Sequence, residues 1–197
     1  MEFDTVIKKR KSVRGFVNKK VNWKDVLTAI DSANQVCFAG NENNFKYMII
    51  EDEKTILNLA KHSSQTWINE ANLVVVVCSD DTHLENLYGE RGRIYSRQQA
   101  GAAIQTLLFK LTDLGLFACW VGSFSDEFIK HALGIPQHIQ VEAIVPIGYP
   151  DKTEKIAKRK KKKELGPTLF WGRWLGLRKP TPFEEPRSDY RTSLTGF

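Results

Sequence analysis

Cysteine is scarce in this chain. Cys37, Cys78 and Cys119 are its only three and lie far apart. There is no CxxC and no Cys–His pair at metal-ligand spacing, which argues against a disulfide framework and a structural zinc site. Histidine is nearly as sparse: His62, His83, His131 and His138 are scattered, and none stands near Cys119 in sequence. Cys119 therefore reads as a small buried apolar residue, not a nucleophile. Cys78 ends an apolar run and reads as core. No segment is apolar for long enough to span a bilayer, and the first residues lack the apolar stretch of a signal peptide. The expected location is the cytoplasm, with reduced thiols and no membrane partner. Internal repeats are absent.

What is present is the composition of a globular domain: 197 residues, 42% hydrophobic and 26% charged, enough for a substantial core. The net charge of +6 comes from 29 Lys+Arg against 23 Asp+Glu. Six of those cations stand in one run, Lys158-Arg159-Lys160-Lys161-Lys162-Lys163, and the rest of the chain is balanced at 23 of each sign. The basicity is local, so it is weak support for nucleic-acid binding. A remote alternative remains: a nucleic-acid-associated protein using that run beside Phe170, Trp171 and Trp174.

The hydrophobic pattern alternates between helix and strand periods. Asn22 is a candidate N-cap for a helix bearing Trp23, Val26, Leu27 and Ile30. Asn34 to Asn44 reads as a polar loop. Phe45–Ile50 reads as a strand, Ile56–Ala60 as a short helix, and Leu73–Cys78 as a strand covered on both faces. A long helix is expected over Ser96–Leu114, with Ala100, Ala103, Ile104, Leu107, Leu108 and Leu111 on one face and Gly115 beyond its end. Its first half is rich in small residues (Ala100, Gly101, Ala102, Ala103), which permits close approach by a helix or a flat ligand. Leu116–Val121 reads as a strand, a helix follows Ser125, and Val141–Pro150 is the last strand. Pro146 places that strand at an edge or beside an irregularity. The pattern implies an α+β fold, a sheet with helices on its faces. Residues 178–197, with three prolines and many charges, read as an extended arm.

Arg10, Lys11, Ser12 and Arg14 crowd three cations and a hydroxyl into five residues. Such a set can bind a phosphate or a polyol through charge-assisted hydrogen bonds, and it can equally be a solvated basic surface. Its context favours the first reading. Arg10-Lys11-Ser12-Val13-Arg14-Gly15-Phe16 resembles the R-[RHK]-S-x-[RK]-x-F element of the FMN-dependent nitroreductase-like superfamily. Ala39-Gly40-Asn41-Glu42-Asn43 is similar to that family's S-x-x-N-x-Q loop. Leu114-Gly115-Leu116-Phe117-Ala118-Cys119-Trp120-Val121-Gly122, Leu133-Gly134-Ile135-Pro136 and Ile147-Gly148-Tyr149-Pro150 with Lys158-Arg159 follow in matching order over about residues 3–165.

The resemblance implies a single FMN-binding domain over residues 1–165 and a C-terminal arm over 166–197. It also implies a mixed, mainly antiparallel sheet flanked by helices, in a homodimer with flavin at the interface. It implies ping-pong oxidoreductase chemistry in which NADH or NADPH reduces FMN and a nitroaromatic, a quinone or a similar small-molecule acceptor reoxidises it. Arg10 and Arg14 would meet the phosphate and ribityl oxygens, with Lys11 at the ring edge and Ser12 donating. Lys158 and Arg159 would close on the phosphate. Asn41 and Asn43 belong to the loop beside the flavin. Trp120, Val121 and Gly122 would lie along the ring, with a backbone N–H near flavin N5 and no catalytic side chain. The chain departs from the family pattern at Cys37 and Phe38, in place of Pro-Ser. Asn44-Phe45-Lys46 replaces a tryptophan position, and Gln98 and Gln99 replace an acidic residue at the start of the long helix. A flavin-binding protein of the same fold with little turnover is the alternative these departures raise.

Overall fold

The structure, a computed structural model, describes residues 1–151 and 166–176. The chain forms two compact units, Met1–Ile156 and Ala157–Phe197.

In chain order, the first unit consists of α1 (Phe3–Lys9), β1 (Phe16–Val17), α2 (Trp23–Ala33), a 3-10 turn (Ala39–Asn41), β2 (Phe45–Ile50) and α3 (Glu53–His62). A second 3-10 turn (Thr66–Glu70) leads to β3 (Leu73–Asp80), α4 (Thr82–Tyr88), α5 (Glu90–Asp113), β4 (Phe117–Ala118), α6 (Asp126–Leu133) and β5 (Ile139–Pro150). The sheet order is β1-β5-β3-β2, with β4 also paired to β5, and every ladder is antiparallel. The fold is therefore α+β, as the sequence pattern implies.

β3 explains the layering. All of Leu73 to Cys78 is buried, and successive side chains point to opposite faces. Leu73, Val75 and Val77 pack with Val26, Ala29 and Ala33 of α2 and with Ala103, Ile104, Leu107 and Leu111 of α5. Val74, Val76 and Cys78 pack on the other side with Ile56 and Leu59 of α3, Ile129 of α6, and Val13. Each fully buried Val, Leu or Ile among them stabilises the fold by about 1.5–3 kcal/mol.

Local signals account for the element ends. Asn22 Oδ1 accepts the Lys24 N–H at 3.1 Å and starts α2. Gly115, at φ +80, ends α5, and the Leu116 N–H closes back on the Leu111 carbonyl at 2.9 Å.

The sheet departs from expectation in the length of one strand, and it decides between the two readings of Pro146. The strand expected over Leu116–Val121 is only Phe117–Ala118, followed by a single bridge between Val121 and Ile144. Pro146 does not mark an edge: β5 is paired with β3 across it, in register with Val74. The Pro146 carbonyl accepts the Cys119 N–H at 3.3 Å. Its missing N–H faces that same side, beyond the end of β4, so the β3 ladder loses nothing. The irregularity is carried by β5 on the N-terminal side of the proline: Val77 and Cys78 of β3 pair with Ala143 and Val141 and leave Glu142 as the extra residue.

The long helix begins at Glu90, before the expected Ser96, and follows α4, which the hydrophobic pattern did not announce. Gly89 (φ +59) separates the two helices. A Cβ on Gly92 would stand 2.3 Å from the Leu84 carbonyl oxygen, so α4 crosses α5 backbone to backbone.

In the second unit, Gly166–Thr168 forms a 3-10 turn, and the Phe170 and Trp174 rings meet at 4.9 Å. The arm expected over 178–197 lies outside the described residues.

Candidate functional site

The basic segment leaves α1 and runs beside β4. Ser12 bridges Ala118 in parallel, and the Val13 N–H donates to the Ala118 carbonyl at 3.3 Å. Val13 is fully buried and anchors the segment, whereas Lys11, Ser12 and Arg14 are exposed and Arg10 is half-buried. The Arg14 guanidinium lies 5.9 Å from the centre of the Trp67 ring. Lys11 joins Lys8, Lys9, Phe117 and Pro150 around a hollow of about 430 Å³.

Two residues past Ala118, Trp120 leaves the core. It is 40% exposed, which decides between a core tryptophan and a surface platform in favour of the platform. Its indole lies beside two glycines: a Cβ on Gly101 of α5 would sit 3.9 Å from the ring, and one on Gly122 would sit 3.9 Å from Nε1. Val121 differs from the expectation for it. Its side chain is buried among the α3–α6 core residues, and its N–H and C=O both pair with Ile144, at 2.9 and 3.0 Å. Gly122, the next residue beyond the bridge, is exposed.

The Ala39–Asn41 loop packs on the same helix. Gly40 and Asn41 are consecutive left-handed residues, at φ +60 and +59. Asn41 is exposed. Asn43 is held at both ends, donating to Asn34 Oδ1 at 3.1 Å and accepting the Phe45 N–H at 3.0 Å, so it shapes the loop. Phe38 is half-buried with its ring 5.9 Å from that of Phe45. Cys37, Phe38 and Ala39 face Tyr95, Gln98 and Ala102 across a hollow of about 340 Å³.

Gln99 and Asn44 were not singled out as a functional pair by the sequence, yet they organise this loop. Gln99 Oε1 accepts the Ala39 N–H at 3.1 Å. Its Nε2 donates to the Glu42 carbonyl at 3.3 Å and to Asn44 Oδ1 at 2.7 Å. Asn44 Nδ2 donates to Ser96 Oγ at 2.8 Å, and Ser96 donates to Asp81 at 2.6 Å. Arg97 clamps Asp81 and reaches Glu142 at 2.6 Å, while Ser79 also donates to Glu142. Burial pushes the Glu142 carboxyl above its ordinary range, against the opposing pull of Ser79 and Arg97. The available signal was a polar residue in buried phase on an apolar helix face, since Ser96 and Gln99 precede Ala103 by seven and four positions.

The structure thus joins the Arg10–Arg14 segment to Trp120–Gly122 through Ala118, and it seats the Asn41 loop on the helix that Trp120 touches. Lys158 and Arg159 lie outside the described residues. The donors and the flat surface fit a phosphorylated, planar ligand such as FMN: cations and a hydroxyl on one segment, an exposed indole flanked by two glycines beside it. Among the described residues, no cluster of His, Cys, Asp and Glu could hold a metal ion, and no helix is long and apolar enough to cross a membrane.

The model of the nitroreductase family matches residues 61–149. An iodotyrosine deiodinase of Thermotoga neapolitana is 26% identical, over 73% of this chain and 86% of that one. A nitroreductase family protein from Clostridium novyi NT superposes with a TM-score of 0.71 at 26% identity, over 87% of this chain and 96% of its own. An FMN-dependent nitroreductase from Clostridium difficile R20291 superposes with a TM-score of 0.71 over 86% of this chain and 98% of its own, at 18% identity, which speaks for the fold alone.

Proposed function

For a chain of the nitroreductase family, we propose FMN-dependent oxidoreductase activity in a cytoplasmic homodimer. The observation that carries the proposal is the parallel bridge between Ser12 and Ala118, which sets the cationic segment beside the exposed Trp120–Gly122 surface.

Arg10, Arg14 and Ser12 supply charge-assisted and hydroxyl donors for the phosphate and ribityl oxygens, with Lys11 at the ring edge. Trp120 and Gly122 give a flat surface, and the Gly122 N–H is a donor for the ring's reacting edge. Asn41 presents its carboxamide from the loop across α5. When bound, FMN supplies two-electron chemistry, reduced by NADH or NADPH and reoxidised in ping-pong order by a nitroaromatic, quinone or similar acceptor. The protein's part is to orient and stack the reactants, so no acid–base side chain is required.

The dimer reading draws on the apolar surface that α4 and α5 leave exposed. Leu87, Tyr88 and Ile94 are 52%, 40% and 51% exposed, and the small residue Ala102 is exposed on the same helix as Ile94. A second copy of this face would cover those residues and wall the flavin surface. Titrating flavin-free protein with FMN and following the quenching of flavin fluorescence tests the reading. Saturable uptake is expected, and a chain that takes up none overturns it.

A further inference from the structure

The turn at Gly40-Asn41 has two left-handed residues in succession, and Asn41 has a Cβ. Such a backbone persists where its surroundings over-determine it. Its own turn bonds are two, from the Asn41 N–H to the Phe38 carbonyl at 3.2 Å and from the Glu42 N–H to the Ala39 carbonyl at 3.1 Å. Asn43, through Asn34 and Phe45, and Asn44, through Asp80, brace the segment after the turn, and one side chain spans the turn itself. Gln99, 4% exposed, bonds to Ala39 ahead of the left-handed pair and to Glu42 and Asn44 after it. A carboxamide is the side-chain group of that reach that offers an acceptor and two donors together; an ionised Glu lacks the donors, Lys lacks the acceptor and Met lacks both.

We infer that Gln99 is a positioning residue that sets the conformation of the Ala39–Asn44 loop and thereby the placement of Asn41 at the cofactor and of Phe38 at the hollow it shares with Tyr95 and Gln98. The functional half of this inference rests on the proposed FMN site; the structural half does not. Gln99 is itself fixed at its far side. Asn44 ties it to Ser96, Ser96 to Asp81, Asp81 to Ser79 and Arg97, and Arg97 to Glu142, so the loop is referred to α5, β3 and β5 together. The same device gives a role to two departures from the family pattern, since Gln99 and Asn44 stand at two of the substituted positions and pair with each other at 2.7 Å.

The test compares wild-type protein with Gln99→Met and Gln99→Glu by amide hydrogen exchange of the flavin-free full chain and by FMN titration. Gln99→Met leaves the Ala39 N–H, the Glu42 carbonyl and Asn44 without that partner. Exchange over residues 38–44 is expected to rise at least about tenfold, with β3 and the second half of α5 unchanged, and FMN affinity to fall about five- to tenfold. If Gln99→Met does not fold, Gln99→Glu is read alone. Relative to wild type at each pH, its loop exchanges faster at neutral pH than in mild acid, where the protonated carboxyl regains a donor. Loop exchange equal to wild type in the folded variants overturns the inference, as does a loosened loop with unaltered FMN affinity. Wild-type protein that takes up no FMN overturns the proposed function instead, while the exchange result still decides whether Gln99 holds the loop.

Discussion

Ser12 and Ala118 lie side by side in a parallel bridge, and the Val13 N–H binds the Ala118 carbonyl. Every other ladder pairing of strands is antiparallel. This contact draws two motifs far apart in the chain into one place, cations from the first and a flat surface from the second. Arg14→Ala or Arg10→Ala should therefore weaken FMN binding by about 1.5–3 kcal/mol, the worth of a charge-assisted hydrogen bond. Fluorescence titration reads it directly. Unchanged affinity in both variants would place the basic segment on the solvent face and not at the cofactor.

The ground beneath this contact is close-packed. A Cβ on Gly148, whose Cα partner is Phe117 of β4, would stand 2.7 Å from the buried Phe16 ring. Gly148→Ala should cost about 1–3 kcal/mol as the ring is forced aside. Urea unfolding gives the number, and a midpoint equal to wild type would mean that Phe16 moves freely.

Legibility in the sequence followed the physical source of each feature. β3 was plain because its apolar residues are unbroken, and they are buried on both faces. The late half of α5 was plain because Ala103, Ile104, Leu107 and Leu111 repeat at helical spacing. Its early half and α4 were not, because they meet through Gly92 with backbone against backbone, and a missing side chain leaves no hydrophobic signature. Trp120 could be core or platform by composition, and only the fold puts it outside the core. Val121 was expected along the flavin ring, yet its bridge to Ile144 turns its side chain inward. The loop motif located Asn41 but not Gln99, since a buried carboxamide among helix residues declares itself only through the partners it meets.

Glu142 gives the fold a pH signature. Its folded carboxyl holds a proton more tightly than the ordinary value of 4.5, chiefly because it is buried. Ionisable neighbours on it are Arg97, Asp81 and Asp126. A raised carboxyl contributes stability in acid that is lost as pH climbs from 4.5 through the folded value. Glu142→Gln removes that loss, so the melting temperature of the variant relative to wild type should rise as pH rises through this window. Parallel curves for the two proteins would mean that Glu142 titrates alike in both states.

The three thiols should separate by access. Cys37 is exposed, Cys78 and Cys119 are buried, and burial pushes the Cys78 thiol up to about 11. A thiol reagent should modify one cysteine quickly in native protein and all three after denaturation, with Cys37 identified by peptide mass. Rapid native labelling of Cys78 would contradict the packing of β3 against α3 and α6.

The exposed apolar face of α4 and α5 predicts association. Light scattering should give twice the chain mass of 22.5 kDa. Ile94→Glu, which places a charge on that face, should shift the protein toward monomer and lower FMN retention with it. A monomeric wild-type chain that binds FMN would locate the whole site within one copy.

The most direct measurement is anaerobic flavin spectroscopy of the purified protein supplied with FMN. NADH or NADPH should bleach the bound flavin absorption, and a quinone or nitroaromatic added afterwards should restore it. Protein that binds no FMN, or whose bound FMN neither nucleotide reduces, would contradict the proposed function.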